Sequence, residues 1–228
     1  MLLTLAVAAT RSDAAYSADG AAGPAQPAPS LAITGDVALV SDYRFRGVSV
    51  SGKDPALQGS LRVAGALGHL AVWGSSIESF NGAELELDAT VGREFAIAGV
   101  DLDAGLIGYV FPGGDDTDYV EVYANAGGAI GPLSWSAGVN YAPDQKNIGG
   151  RDSIYVFSGL AFSLPAAPLA LEAGAGFEDG AFGADKWDWH VGLRYTIAGI
   201  NLGLAYVDAR DDRRAIPGTA VFSISRGF

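Results

Sequence analysis

Apolar and polar residues alternate along most of the chain from Ile33 onward. The segments 84–95 and 187–196 show the alternation most clearly, with Leu85 and Leu87 between acidic residues in the first. Successive side chains of a β-strand point to opposite faces, whereas a helix repeats its apolar positions every three to four residues. The pattern therefore predicts strands with one apolar and one polar face.

Runs of alternating residues bounded by turn residues predict about 12 strands. Most are close to the roughly 9–11 tilted residues that cross a bilayer. Their predicted bounds are 33–47, 56–67, 70–77, 84–95, 100–111, 119–129, 133–142, 153–163, 169–178, 187–196, 200–208 and 219–228.

The predicted connections alternate between short and long. The short ones are 68–69, 96–99, 130–132, 164–168 and 197–199, and the long ones are 48–55, 78–83, 112–118, 143–152, 179–186 and 209–218. Short turns on one side and longer loops on the other are typical of outer-membrane barrels. The expected fold is an all-β, transmembrane, up-and-down antiparallel β-barrel.

Composition narrows the class of protein. Hydrophobic residues make up 49% of the 228 residues, yet no run of 18 or more apolar residues predicts a transmembrane helix. The 32 glycines disfavour long helices, and the absence of cysteine removes disulfide and thiolate chemistry. The net charge of −12 argues against nucleic acid as a partner.

The N-terminal segment reads as an export signal. Residues 1–22 contain a short apolar stretch followed by small residues, which predicts a signal peptide, with a disordered tail as the alternative. Residues 23–32 are rich in Pro and Ala and predict a linker. The barrel domain is then residues 33–228.

Three features assign the apolar face to lipid. Aromatic residues on that face cluster near strand ends, as in the girdles of membrane barrels. They are Tyr43, Phe45, Tyr141, Phe177, Trp187 and Tyr206 toward the long loops, and Phe95, Phe162, Tyr195 and Phe228 toward the short turns. The other face carries many charges, which are costly in lipid or a dry core. The last strand ends on an aromatic residue, Phe228.

The polar face supplies the candidate residues of a lumen or constriction. They are Asp42, Arg44, Arg46, Arg62, Glu84, Glu86, Asp88, Glu121, Asp188, His190 and Arg194. Arg44 and Arg46 could create a transverse field opposite the acids or could pair with those acids and brace the wall. His190 fits a hydrogen-bond network in the lumen, and His69 is expected to be solvated in a short turn.

Several segments carry a family resemblance. The sequence from Ser41 to Ser49, followed by 55–59, resembles the opening hairpin of the TorF family of porins. Residues 84–88, 108–112, 119–123 and 223–228 resemble later hairpins and the end of that family. The resemblance implies a barrel in the outer membrane of a Gram-negative bacterium. The end of the chain, at Phe228, resembles the signal read by the barrel-assembly machinery.

The leading hypothesis is a porin for passive diffusion of small hydrophilic solutes. Because acids outnumber bases on the polar face, cations are the expected preference. The alternatives are a non-conducting structural or surface-binding barrel and, less favoured, a lipid-modifying enzyme. Outer-membrane lipid and small solutes are the expected partners. No motif predicts a catalytic, cofactor or metal site, and we do not expect an enzyme.

Overall fold

The structure, a computed structural model, describes residues 31–228. The predicted export signal, and the predicted linker through residue 30, lie outside the described residues. The strands are β1 (Ala32–Val40), β2 (Arg44–Phe45), β3 (Val48–Ser49), β4 (Ala56–Gly65), β5 (Gly68–Phe80), β6 (Ala83–Ile97), β7 (Val100–Val110), β8 (Tyr119–Ile130), β9 (Leu133–Gln145), β10 (Arg151–Ser163), β11 (Leu169–Gly180), β12 (Lys186–Ile197), β13 (Ile200–Arg210) and β14 (Thr219–Gly227).

Twelve of these strands, within residues 31–228, form one closed antiparallel barrel. Each pairs with its neighbours in chain order, and β1 closes the sheet by pairing with β14 and β4. The short β2 and β3 form a separate two-stranded sheet. The expected all-β, up-and-down barrel is confirmed. No helix among the described residues is long and apolar enough to cross a membrane.

The alternation in the sequence becomes two faces of the wall. On β12, the outward Val191 is 52% exposed, whereas Asp188, on the inner face of the same strand, is 3% exposed. Leu, Val and Ile side chains project outward in the same way on the other barrel strands. A soluble barrel has the opposite sense, with its apolar face inside. The exterior is therefore suited to lipid and the interior to polar groups.

Aromatic side chains lie on the outer face near both ends of the barrel, as predicted for eight of the ten named residues. Those with large exposed fractions are Phe95, Tyr141, Phe162, Trp187, Tyr195, Tyr206 and Phe228. Phe177 is half-buried and packs against Trp187, with ring centroids 4.8 Å apart. The prediction that Tyr43 and Phe45 face lipid is wrong: both lie inside the barrel.

That error has a physical cause in the first strand. The sequence alternation continues to residue 47, but β1 ends at Val40 and the chain bends at Ser41 and Asp42. The following residues turn inward, so their alternation describes a hairpin inside the lumen.

The connections define two different ends of the barrel. Tight turns at one end include Ala98–Gly99 and Ala198–Gly199, where all four residues have positive φ, as two-residue type I′ hairpins require. Longer connections, such as 111–118 and 211–218, lie at the other end. The expected long loop 78–83 is mostly strand, because β5 runs to Phe80 and β6 begins at Ala83. We call these the short-turn end and the long-loop end.

A closed sheet of this kind predicts heat-modifiable electrophoresis. The unheated protein, extracted in mild detergent, should migrate differently on a gel from the boiled protein, because the barrel hydrogen bonds resist detergent until heated. Identical migration of both samples would contradict a closed barrel.

Candidate functional site

A hairpin from the first long connection lies inside the lumen. We call residues Tyr43–Ser51 the inner hairpin. Its strands β2 and β3 are joined by Arg46 (φ 48°) and Gly47 (φ 79°), and Val50 N donates to Tyr43 O at 2.8 Å. A two-residue turn with both φ values positive strongly favours glycine at its second position. This turn places Arg46 at the tip of the hairpin.

Arg46 connects the tip to the opposite wall. Its guanidinium donates to both carboxylate oxygens of Glu121 on β8, at 2.8 and 2.7 Å, and to Glu178 on β11 at 2.5 Å. Lys186 on β12 donates from Nζ to Arg46 O at 3.0 Å and forms an ion pair with Glu178. We call these four residues the Arg46 clasp. The hairpin follows β1 in the chain, and its tip contacts β8, β11 and β12. The hairpin therefore crosses the lumen.

The clasp is almost fully buried, and its charges compensate one another. Exposed side-chain fractions are 3% for Arg46, 1% for Glu121 and 0% for Glu178. Tyr109 Oη and Asn140 Nδ2 also donate to Glu121, at 2.6 and 3.0 Å. Buried ions are tolerated when their partners satisfy them, and removal of one partner leaves an uncompensated charge.

A second set of contacts fixes the base of the hairpin. Arg44 Nε donates to Asp42 Oδ2 at 2.8 Å, and its NH1 donates to the carbonyls of Gly47 and Pro217. Tyr43 packs against Trp73 on the barrel wall, with ring centroids 5.3 Å apart. Arg44 thus links the hairpin to itself and to the last long connection.

The tip also touches the wall through its backbone. A Cβ atom added at Gly47 would lie 2.6 Å from Ala209 Cβ and 2.7 Å from Asp188 Cβ. Even a methyl group does not fit there without movement of β12 or β13. Asp188 accepts a hydrogen bond from Tyr155 at 3.2 Å, and the Tyr155 ring lies 4.5 Å from the Arg46 guanidinium carbon.

The structure brings three of the candidate residues together at the hairpin tip: Arg46, Glu121 and Asp188. Arg44 pairs with Asp42, the residue before the hairpin, instead of with the acids of the wall. Glu86 and Asp88 are buried on the inner side of β6, while Glu84 is exposed at the start of that strand. The sequence leaves two alternatives for the arginines, a transverse field or pairing with the acids. Arg46 pairs directly with acids of the wall.

The remaining candidates lie toward the short-turn end. Arg62 pairs with Glu94 at 2.5 Å, and Arg194 pairs with Glu172 at 2.7 Å. His190 is half-buried on the inner face of β12. A Cβ atom at Gly174 would lie 2.4 Å from its Cε1 atom, so the imidazole lies against the wall.

Sequence reasoning missed some of these contacts. The sequence predicts Lys186 in the long connection 179–186, whereas it begins β12 and lies in the clasp. The Arg–Gly pair at residues 46–47 was the available signal for a tight turn. The expectation for His69 was wrong: it is buried, with Nε2 3.0 Å from Asp103 Oδ1.

The lumen has two unlike halves. Near the long-loop end, the inner hairpin and the clasp fill it with buried side chains. Toward the short turns, the inner faces of β9 to β12 carry small residues that are partly exposed, including Ser136, Gly159, Gly174 and Gly192. We call this second half the vestibule.

A closed antiparallel barrel with an apolar exterior and a charged interior defines a porin-like β-barrel. Residues 22–225 match the family described as "Bacterial protein of unknown function (Gcw_chp)". The chain therefore belongs to that family, whose description does not include the TorF label. No curated protein matches the sequence.

Solved porin structures share the fold. The chain aligns with the KdgM porin at a TM-score of 0.59 and 6% identity, covering 86% of this chain and 98% of KdgM. For the NanC porin the TM-score is 0.55 at 11% identity, covering 86% and 99%. An outer membrane channel from Pseudomonas putida F1 aligns at 0.50 and 12%, covering 92% and 100%. At these identities the likeness establishes the fold.

The contrast between buried and exposed ion pairs gives a test of the clasp. Arg46→Ala should lower the free energy of unfolding by about 3–5 kcal/mol, because the buried carboxylates of Glu121 and Glu178 each lose their arginine partner. Arg62→Ala breaks a partly exposed pair and should cost at most about 1 kcal/mol. Urea unfolding in phospholipid vesicles, followed by tryptophan fluorescence, measures both. Equal losses would contradict a clasp that stabilises the fold.

Proposed function

We propose that this protein is an outer-membrane channel for passive diffusion of small hydrophilic solutes, with the inner hairpin as its constriction. The observation that carries the proposal is a hairpin held across a polar lumen, whose short-turn half is lined by small, partly exposed residues. Side chains alone fill a barrel of about 8 strands, whereas larger barrels leave interior space. In this 12-stranded barrel the hairpin occupies part of that space.

The proposed location is the outer membrane of a Gram-negative bacterium. The apolar exterior and its aromatic ends support it, as do the sequence resemblance to TorF porins and the shared fold of porins. The short-turn end would face the periplasm. Residues 1–22 would direct export, and Phe228 would be read by the barrel-assembly machinery.

The proposed selectivity is for cations. Acids outnumber bases on the inner wall, where the acids are Asp36, Glu86, Asp88, Glu94, Asp101, Asp103, Glu121, Glu172, Glu178 and Asp188 and the bases are Arg62, Lys186 and Arg194. Rings of acidic side chains favour cations in channels. One KdgM structure is a complex with disordered oligogalacturonate, a polyanion. The acidic wall here does not favour such a ligand.

A non-conducting barrel is the second candidate, and the Arg46 clasp favours it. The clasp places buried ion pairs across the long-loop half of the lumen. By contrast, nothing here supports a lipid-modifying enzyme that uses a Ser–His pair at the lipid surface. Both histidines of the chain lie on the inner face.

Single-channel recording in planar bilayers separates the two candidates. The wild-type protein should give small conductance steps whose reversal potential in a salt gradient favours cations. Arg46→Ala should increase the step size severalfold, because it releases the hairpin tip from Glu121 and Glu178. Lys53→Gln is the matched control, since Lys53 is an exposed cation in the same connection. It should leave the steps unchanged.

The remaining outcomes also decide the question. Silence of the wild type, of Arg46→Ala and of a variant with the inner hairpin replaced by a short Gly/Ser linker would favour the non-conducting barrel. Equal conductance in the wild type and Arg46→Ala would show that the hairpin is not the constriction. Anion-favouring reversal potentials would contradict the role of the acidic wall.

A further inference from the structure

Four polar side chains converge on the wall of the vestibule. They are His69 on β5, Glu94 on β6, Asp103 on β7 and Tyr123 on β8, and we call them the histidine cluster. One potential ligand atom from each of His69, Glu94 and Asp103 lies within 4.8 Å of the others. The Tyr123 hydroxyl donates to Asp103 Oδ2 at 3.1 Å and lies 3.4 Å from His69 Nε2.

The sheet is shaped to hold these rings. Gly92 and Gly105 lie opposite each other on β6 and β7, between the strands that carry His69 and Tyr123. A Cβ atom at Gly92 would lie 2.1 Å from the Tyr123 hydroxyl and 2.7 Å from His69 Nε2. A side chain at that position would displace both groups. The absence of side chains at these glycines allows an imidazole and a phenol to meet against the wall.

The polar contacts of His69 all point to the cluster. Its Nε2 faces Asp103 and Tyr123, while its buried Nδ1 atom has no hydrogen-bond partner within residues 31–228. The imidazole is 5% exposed and Asp103 is 3% exposed. The imidazole is therefore buried, and its only hydrogen-bonded nitrogen among the described residues, Nε2, faces the Asp103 carboxylate.

The local charge favours an added cation. Glu94 and Asp103 bring two carboxylates close together, and Asp101 lies two residues before Asp103 on the inner face of β7. Arg62 is the cation paired with Glu94, at 2.5 Å. If His69 and Asp103 only stabilised the wall, a second carboxylate would not be needed beside them. Glu94 nevertheless lies within 4.8 Å of both. Like charges at this spacing disfavour each other unless a cation lies between them.

We propose that the histidine cluster binds a divalent transition-metal cation of the Zn²⁺ class. An imidazole nitrogen and carboxylate oxygens are the ligands such ions take in proteins. Tyr123 would orient Asp103 as an outer hydrogen-bond partner. Glu94 is exposed, so the ion can reach the cluster from the vestibule. The site does not depend on conduction, because a closed barrel that retains an accessible vestibule would bind the ion equally.

Zinc titration of the purified full-length protein tests the proposal. The untagged chain in detergent, titrated with Zn²⁺ in a calorimeter, should bind one equivalent at this site. His69→Ala and Asp103→Asn should each weaken that binding at least about tenfold, as loss of metal-site residues does. His190→Ala is the matched control, because it removes the other histidine of the chain, outside the cluster. It should leave the affinity unchanged.

The controls separate specific binding from loss of structure. Each variant should keep the heat-modifiable migration of the wild type. If His69→Ala does not fold, His69→Gln serves in its place, since it retains much of the side-chain volume. Excess Ca²⁺ should not displace Zn²⁺, because Ca²⁺ prefers six to eight oxygen ligands.

Three results would overturn the metal site. They are the absence of Zn²⁺ binding to the wild type, equal affinity of His69→Ala and wild type, and an equal loss in His190→Ala. None of them bears on bilayer conductance, so failure of the metal site and failure of the channel are distinguishable.

Discussion

Closure of the sheet between β1 and β14 is the constraint on which the rest of the structure depends. A backbone N–H or C=O without a partner is costly in lipid, so a membrane sheet has to end on itself. Here Gly35 and Phe228 exchange backbone hydrogen bonds of 2.9 and 3.0 Å at the end of the chain. Once the sheet is closed, each barrel strand has an inner and an outer face. Because polar and apolar residues alternate, the charged side chains of all these strands face the same interior.

Side chains just fill a barrel of about 8 strands, so a 12-stranded barrel has a wider interior, and its two halves differ here. In the long-loop half, the inner hairpin crosses the lumen and Arg46 binds carboxylates from β8 and β11. In the short-turn half, small residues leave a vestibule whose wall carries the histidine cluster. The clasp buries its charges almost completely, so it is suited to hold a constriction. The cluster is open on its Glu94 side, so it is suited to bind an ion.

The strands could be predicted because polar and apolar side chains alternate every two residues along a strand with two different faces. The predicted strand lengths also fit a bilayer. The inner hairpin could not, because Tyr43 and Phe45 continue the same alternation after β1 has ended. Its position depends on partners that lie 75 and 132 residues away, Glu121 and Glu178, and no local pattern contains that information. The same holds for His69, whose partner Asp103 is 34 residues away on another strand.

The orientation of the two faces is the central claim, and cysteine accessibility measures it most directly. The chain has no cysteine, so single cysteines at Val191 and Leu193, and at His190 and Thr196, can be introduced on β12 without background. In phospholipid vesicles, a water-soluble thiol reagent should modify the cysteines at 190 and 196 and leave those at 191 and 193 unmodified. The reverse pattern would mean that the apolar face lies inside, which would contradict a membrane barrel with a charged lumen.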